Sequence, residues 1–367
     1  MTSMVARIRA RARELGFDAV AFARADVPLD ADYERYRAFL ARGAEGEMRY
    51  LAEAPEARRA LDGEAILPGA RTVVCVARRY ARPHDEEARE PALVRDIARY
   101  ARGRDYHVYL RRRVYLLGKF VRLAAPGHKA RAVLDTAPLL ERAWAARAGL
   151  GFVGKNGLVI VPGQGSFCLL GEVVTTLALD AADYGAPIGE RCGSCTACLD
   201  ACPTSAFDAP FVLDPRRCVS YRTIERRQVP TEEEPAHALF GCDACQDVCP
   251  YNRVASMPAP ATEAFAPHER WRSLRLAELV RVDGAAHEKL TESSPLRRAS
   301  PAVLAHNALG VAARRLARDP SDPEAREAIE AGCAHEDAAL RATATRFAAE
   351  LGVESSLSRR SPEEAAR

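Results

Sequence analysis

The feature that most restricts this 367-residue chain is RCGSCTACLDACP (191–203), which places four cysteines in eleven positions. A second run, FGCDACQDVCP (240–250), carries three more. Eight of the eleven cysteines lie between 192 and 249, a density that points to metal rather than to disulfides in a reducing compartment. Such a segment folds as loops and single turns, because bonds to metal replace much of an apolar core.

The spacing C-x2-C-x2-C-x3-C-P is that of bacterial ferredoxins, in which three close thiolates wrap one cubane and the fourth reaches a second. By this pattern Cys192, Cys195 and Cys198 share a [4Fe–4S] cluster with Cys249, the cysteine before Pro250. Cys202, Cys242 and Cys245 are then one ligand short. Cys218 in DPRRCVSYRTIE is the only cysteine between the runs, and it completes the second cluster from 24 positions upstream of Cys242. Two zinc knuckles are the alternative, although zinc favours paired C-x2-C units. Cys75, Cys168 and Cys333 sit in apolar or helical surroundings and read as small buried hydrophobes.

With 48% hydrophobic and 28% charged residues the composition is that of a soluble globular protein. The longest apolar stretch, GLVIVPGQGSFCLLGEVVTTLAL, is broken by Pro162 and Glu172, so no membrane span is expected. The Arg-rich start is followed by Glu14 and Asp18 and has the apolar spacing of an amphipathic helix, so a cytoplasmic protein is expected. Net charge is only +3, yet residues 95–131 hold eleven Lys/Arg against two Asp, and residues 268–318 hold ten against five acids. Such blocks suit a phosphate-rich partner or an ordinary solvated Arg-rich face.

Residues 1–182 alternate helical stretches with β-branched runs such as RTVVCVARRY, KARAVLDT and CLLGEVVTTLALD, which predicts an α/β or α+β domain around a central sheet. The cluster domain is expected at 183–255. A Pro/Ala linker then leads into 256–352, where LRLAELVRV, AVLAHNALGVAARRLA, EAREAIEAGCA and DAALRATATRFAAEL have helical spacing, about one and a half α-solenoid repeats. Residues 353–367 have the composition of a disordered tail. No G-x-G-x-x-G follows a strand, so a Rossmann dinucleotide site is not expected.

YARGRDYH (100–107), LDTAPLLERAWAARAGLGFVGKNGLVI (134–160), the first cysteine run, CVSYRTIE (218–225) and GCDACQDVCPYNR (241–253) together resemble epoxyqueuosine reductases, in order and to about residue 350. The resemblance implies a cobalamin-dependent enzyme with two [4Fe–4S] clusters. It would reduce an epoxide at the wobble base of tRNA to an alkene, the last step of queuosine synthesis. It also implies an N-terminal cobalamin-binding domain of nitroreductase-like fold, HEAT-like C-terminal helices, a monomer, and an electron donor of flavodoxin or ferredoxin type. Phe152 and Val153 stand where the family has Trp-Ile, Gly157 where threonine is common, and His306 where arginine is expected.

Reductive opening of an epoxide needs two electrons and a proton for the leaving oxygen. By resemblance Asp135 is the proton donor, and burial past the apolar ARAVL would raise its pKa and keep it protonated. On sequence alone an Asp before Thr-Ala-Pro is a turn or cap residue. Asp105 and His107 match two positions of D-x-H-x-x-G, but Leu110 replaces the glycine, and the family implies base-off cobalamin without a protein ligand to cobalt. Tyr100, Arg104, His107, Lys155, Asn156, Ser220 and Tyr221, with Arg58 and Arg59, are the expected cobalamin contacts, and a helix-start role is the alternative for Asp105. For tRNA, Arg297 and Arg298 precede a helix start at Ser300-Pro301, and Arg111, Arg112 and Arg113 form a second basic patch. A corrinoid reductase of another substrate, such as a reductive dehalogenase, and a ferredoxin-like electron carrier are the competing functions.

Overall fold

A computed structural model describes residues 3–82, 84–230, 232, 234–253 and 263–353. The expected tail beyond 353 and most of the Pro/Ala linker lie outside them. The chain forms two compact units, Met1–Arg82 with Asp105–Arg216 and Ala244–Phe265, and Pro83–Arg104 with Arg217–Asp243 and Ala266–Arg367.

The first unit is built on four strands, β1 (Ala19–Arg24), β2 (Thr72–Arg79), β3 (Ala130–Val133) and β4 (Cys168–Thr175). Their order is β1-β2-β4-β3 and every pair is antiparallel, so of the two fold classes left open by the sequence this unit is α+β. The sequence TVVCVARR of β2 is buried at every position, because helices cover both faces of the sheet. Against one face the helices Met4–Glu14 and Tyr106–Ala124 pack Ile8, Ala12, Leu110, Leu117 and Val121 onto Val74, Val76 and Val173. Against the other lie Trp144 and Ala145 of the helix Glu141–Arg147, with Leu29, Leu61 and Leu139, over Val73, Cys75, Val133 and Val174. Alternate residues of one strand thus feed two cores. Fully burying each Val, Leu or Ile among these contributes roughly 1.5–3 kcal/mol before entropy.

Two single helical turns carry cysteines, Ala197–Asp200 and Ala244–Asp247, and they pack against each other. Around them the backbone is mostly loop, as the sparse apolar pattern implied.

The second unit is helical. Leu276–Val280, Pro301–Arg318, Pro323–Cys333 and Ala338–Leu351 bury one apolar cluster that includes Trp271, Leu304, Leu309, Ile329 and Phe347. Each long helix starts on a side chain that accepts a backbone N–H: Ser300 from Val303, Asp322 from Ala325, Asp337 from Ala339 and Leu340. Proline follows Ser300 and Asp322 at the first helical position, where a missing N–H costs nothing. Asn307 is 1% exposed and donates from Nδ2 to the carbonyls of Thr223 and Leu239 at 3.0 and 2.9 Å, tying the longest of these helices to the segment 217–243.

Gly310 lies where that helix meets the backbone of Ala236; a Cβ there would run into the Ala236 nitrogen. Gly310→Ala should therefore lower stability by about 1–3 kcal/mol through overpacking, the reverse of the usual helical gain of roughly 0.5–1 kcal/mol. Thermal denaturation of the variant checks the sign.

Candidate functional site

Asp135 follows β3 directly, on a turn where its own φ is +22°, a conformation that a non-glycine residue adopts only when its surroundings enforce it. The surroundings are visible. Its backbone N–H donates to Oε1 of Glu141 at 2.8 Å, and its Oδ2 accepts from the Tyr106 hydroxyl and meets Nε2 of His107, each at 2.7 Å. Tyr106 and His107 open the long helix Tyr106–Ala124. Asp105 caps that helix by accepting from the His107 N–H at 2.9 Å, and its Oδ1 also meets Nδ1 of the His107 ring at 2.7 Å. The helix-start role for Asp105 and the site role for His107 are therefore two ends of one arrangement.

The expectation that burial keeps Asp135 protonated is corrected. Its side chain is 47% exposed, because the turn carries it past the end of the sheet. The proton is held one bond away. His107 lies between two carboxylates, and its hydrogen bonds to Asp105 and then to Asp135 raise its pKa to about 9. The His107 bond in turn lowers the pKa of Asp105. Near neutral pH the row is carboxylate, imidazolium, Asp135.

A cavity of about 190 Å³ opens beside this row, lined by Tyr106, Asp135, Glu141, Leu158, Ser166 and Cys168. Its wall is joined to the second cysteine run. The Ser166 hydroxyl donates to Oε1 of Gln246 at 3.0 Å, and the Ser166 N–H donates to Oδ1 of Asn252 at 2.7 Å. Gln246 and Asn252 flank Cys249 in sequence.

Cys192, Cys195, Cys198 and Cys249 act on one another electrostatically. Beyond the effect of burial, the Cys198 thiol is raised by Cys249 and Cys195, Cys192 by Cys198, and Cys249 by Cys195. Four thiols are the donor set a [4Fe–4S] cluster needs. Among the described residues no group of three or more His, Cys, Asp or Glu gathers around a single metal ion. Cys202 and Cys245 also belong to the first unit, whereas Cys218 and Cys242 belong to the second. Cys202 Sγ accepts the Ala206 N–H at 3.3 Å, a bond of the kind that tunes cluster sulfur.

The expected cofactor contacts fall into different environments. Asn156 is 5% exposed; its Oδ1 accepts from Leu158, and its Nδ2 is buried without a partner, a donor suited to the carboxamide edge of a corrin. Lys155 is placed on the first cysteine run instead: Nζ donates to the carbonyls of Gly193 and Cys195 at 2.5 and 3.0 Å. Arg58 is buried over the Tyr36 ring and donates to the Tyr50 carbonyl, and Arg59 pairs with Asp30 at 2.7 Å. The Nε of Arg58 is buried without a hydrogen-bond partner.

In the second unit, Tyr100 packs near Phe240 and Arg104 is exposed. Tyr221 is buried at the start of a π-helical turn, Tyr221–Glu225, with Ser220 at its N-cap. Arg298 pairs with Glu225 at 2.8 Å, and Arg297 is exposed. Arg111 and Arg112 are exposed on the first unit's long helix, near the exposed Val108 and Tyr115, whereas Arg113 folds back over Tyr109. His306, flagged by its departure from the family pattern, is 7% exposed. Tyr106, Glu141 and Glu172 were not singled out as site residues by sequence, although the first two lie inside quoted motifs.

Two family models match: one described as "4Fe-4S double cluster binding domain" over residues 191–252, the other as "Epoxyqueuosine reductase QueG, DUF1730" over residues 61–136. The epoxyqueuosine reductase of Gloeobacter violaceus is 41% identical over 314 residues, 84% of this chain and 95% of its own length. That of Pseudomonas aeruginosa is 39% identical over 293 residues, 78% and 79% of the two chains. Among solved structures, an epoxyqueuosine reductase crystallised with an epoxyqueuosine-modified tRNA stem loop superposes with a TM-score of 0.69 at 27% identity, over 94% of this chain and 98% of that one. Another, from Bacillus subtilis with its catalytic aspartate loop swung out of the active site, gives 0.71 at 26% identity over the same shares.

The raised His107 sets a pH window. The imidazolium pairs are fully formed below the ordinary value of 6.5 and are lost as pH rises through about 9. Histidine NMR should find that midpoint near 9, and Asp105→Asn should move it down towards 6.5.

Proposed function

The chain belongs to the epoxyqueuosine reductase family, and we infer that the cavity at Asp135 is where it reduces the epoxide of epoxyqueuosine in tRNA to the alkene of queuosine. The reaction takes two electrons and two protons, breaks both C–O bonds of the ring and releases water. One observation carries the assignment to this cavity: Asp135, at the end of the row that runs through His107 to Asp105, lines one space with Ser166, and Ser166 is hydrogen-bonded to Gln246 in the second cysteine run. Proton supply and electron supply thus meet at one wall.

The double-cluster domain carries two [4Fe–4S] clusters. The ligand sets proposed are Cys192, Cys195, Cys198 and Cys249 for one, and Cys202, Cys218, Cys242 and Cys245 for the other. The electrostatic coupling among the thiols of the first set supports that division. Cobalamin, where bound, would supply a strongly reducing centre for cleavage of the C–O bond. In the first unit Asn156, with its unsatisfied Nδ2, and the turn from Gly154 to Gly157 would hold its edge.

Asp135 delivers the proton to the departing oxygen and takes its replacement from His107, two bonds of one chain of hydrogen bonds. Tyr106 fixes the carboxyl by donating to Oδ2, and Asp105 fixes the ring from its other nitrogen. The role of the row is therefore to keep a proton ready at an exposed acid that burial does not protect.

The finer organisation is proposed on the same footing: a nitroreductase-like cobalamin domain at 1–182, a ferredoxin-like domain at 183–255 and a HEAT-like unit at 256–352. A monomeric, cytoplasmic enzyme fed by a flavodoxin or ferredoxin fits them. Arg297 and Arg298, with Arg111 and Arg112, are proposed to hold tRNA phosphates, with the modified base turned into the cavity.

Asp135→Asn should keep both clusters and lose turnover by two or more orders of magnitude, on the scale of a general acid's contribution. Nucleoside mass spectrometry of epoxyqueuosine-containing tRNA, scoring loss of one oxygen, reads this out. An unchanged nucleoside with the wild-type, cluster-loaded, cobalamin-supplied protein would favour a corrinoid reductase of another substrate or an electron carrier. Arg297→Glu with Arg298→Glu should raise the Kd for the stem loop and flatten its salt slope by roughly one for each lost phosphate contact, measured by fluorescence anisotropy.

A further inference from the structure

Glu172 lies in the middle of β4 with none of its surface exposed. It pairs in register with Cys75 of β2 and Val133 of β3, so its side chain enters the apolar layer formed by Val133, Leu139, Trp144 and Ala145. Neither carboxyl oxygen meets an N–H or O–H donor among the described residues. An ionised carboxylate in that position is strongly disfavoured. The group that faces it is the carboxyl of Glu141. Two carboxylates cannot bond to each other, but a carboxylic acid and a carboxylate form a strong hydrogen bond. Glu141 in turn accepts the Asp135 N–H at 2.8 Å. A line of contacts therefore runs from the centre of the sheet to the strained backbone of the loop that presents Asp135.

We propose that Glu172 carries a proton which it shares with Glu141, and that this buried pair is the latch holding the Asp135 loop in the active site. Both are positioning residues, and the proposal rests on the reading of Asp135 as the acid. The electrostatics agree with the geometry. Burial first, then Glu141, drives the Glu172 acid strongly upward. Burial first, then the charge of Asp135, lifts Glu141 to about 7, opposed by the Asp135 N–H, by the hydrogen bond with Glu172 and by Arg142. The remaining titratable neighbour is Cys75, pushed up by burial and by both glutamates; Tyr106 and His107 bond Asp135 rather than the pair.

A cycle follows. While Asp135 holds its proton, Glu141 is ionised and grips the loop N–H as a charged acceptor. Once Asp135 has given the proton up, its charge favours a proton on Glu141, and a neutral acceptor grips less tightly. The loop is then held less tightly until His107 returns a proton to Asp135. The catalytic aspartate loop of the Bacillus subtilis relative has been solved swung out of its site, so in that protein the loop has a second position.

Hydrogen exchange of the cluster-loaded protein, corrected for intrinsic rates, tests the latch at the Asp135 amide. At about pH 8 it should be protected in the wild type and exchange roughly ten- to a hundredfold faster in Glu141→Ala, the loss of a hydrogen bond to a charged group. Wild-type protection should fall at about pH 6, as Glu141 protonates through its raised value. Glu172→Gln, which keeps a donor on Glu141, should remain protected at about pH 8. Infrared spectra at about pH 8 should show a carboxylic-acid carbonyl band that Glu172→Gln lacks. Equal exchange in wild type and Glu141→Ala, or no such band, overturns the proposal. Turnover by Asp135→Asn reads the catalytic assignment separately, since it leaves the band and the Glu141→Ala comparison untouched.

Discussion

The antiparallel insertion of β4 between β2 and β3 places almost every chemical group of the first unit. Just before its first residue comes Ser166, which lines the cavity and bonds Gln246 in the second cysteine run. Its centre holds Glu172. Its partner β3 ends at Val133, so that the chain turns out of the sheet at Asp135. Hydrogen-bond register in a sheet is specified to the residue, and a slip of one would turn Glu172 to the opposite core and carry Ser166 off the cavity wall. The site is thus held by the sheet's ladder more than by its loops.

Protons are kept in two different ways within a few residues. At the surface, His107 holds one because carboxylates stand at both ring nitrogens, a cation stabilised by charge. Inside, Glu172 is driven to hold one because an apolar layer surrounds it, an acid stabilised by exclusion of water. The first arrangement can exchange quickly with solvent. The second responds to charge at Asp135, since Glu141 touches both.

Much of this could be read in the sequence, and the parts that could not share a cause. The cysteine spacing carries its own expectation of a ligand set, so four of the thiols could be grouped from the sequence, and in the structure they act on one another electrostatically. The helix start at Ser300-Pro301 and the strands at 72–79, 130–133 and 168–175 followed from periodicity and capping. The burial of Asp135 was misjudged because the apolar ARAVL suggests an interior strand end, while a positive φ, which no pattern announces at an aspartate, turns the side chain outward. Lys155 was expected at the cofactor by resemblance alone, and no pattern in the sequence announces the bonds its Nζ makes to the carbonyls of Gly193 and Cys195. Glu172 had a usable signal: a lone carboxylate inside CLLGEVVT is the residue an otherwise apolar strand has no local reason to contain.

The order of segments has a consequence for how the protein is made. The first unit takes its last piece from residues 244–265, after the chain has already supplied 83–104 and 217–243 to the other unit. On a ribosome that adds about 5–20 residues per second, Cys192, Cys195 and Cys198 emerge seconds before Cys249, and Ser166 waits longer still for Gln246. Through that interval three thiols stand without the fourth, and the cavity wall lacks its brace. The wall around Ser166 is therefore completed by one of the last segments of the first unit to be made.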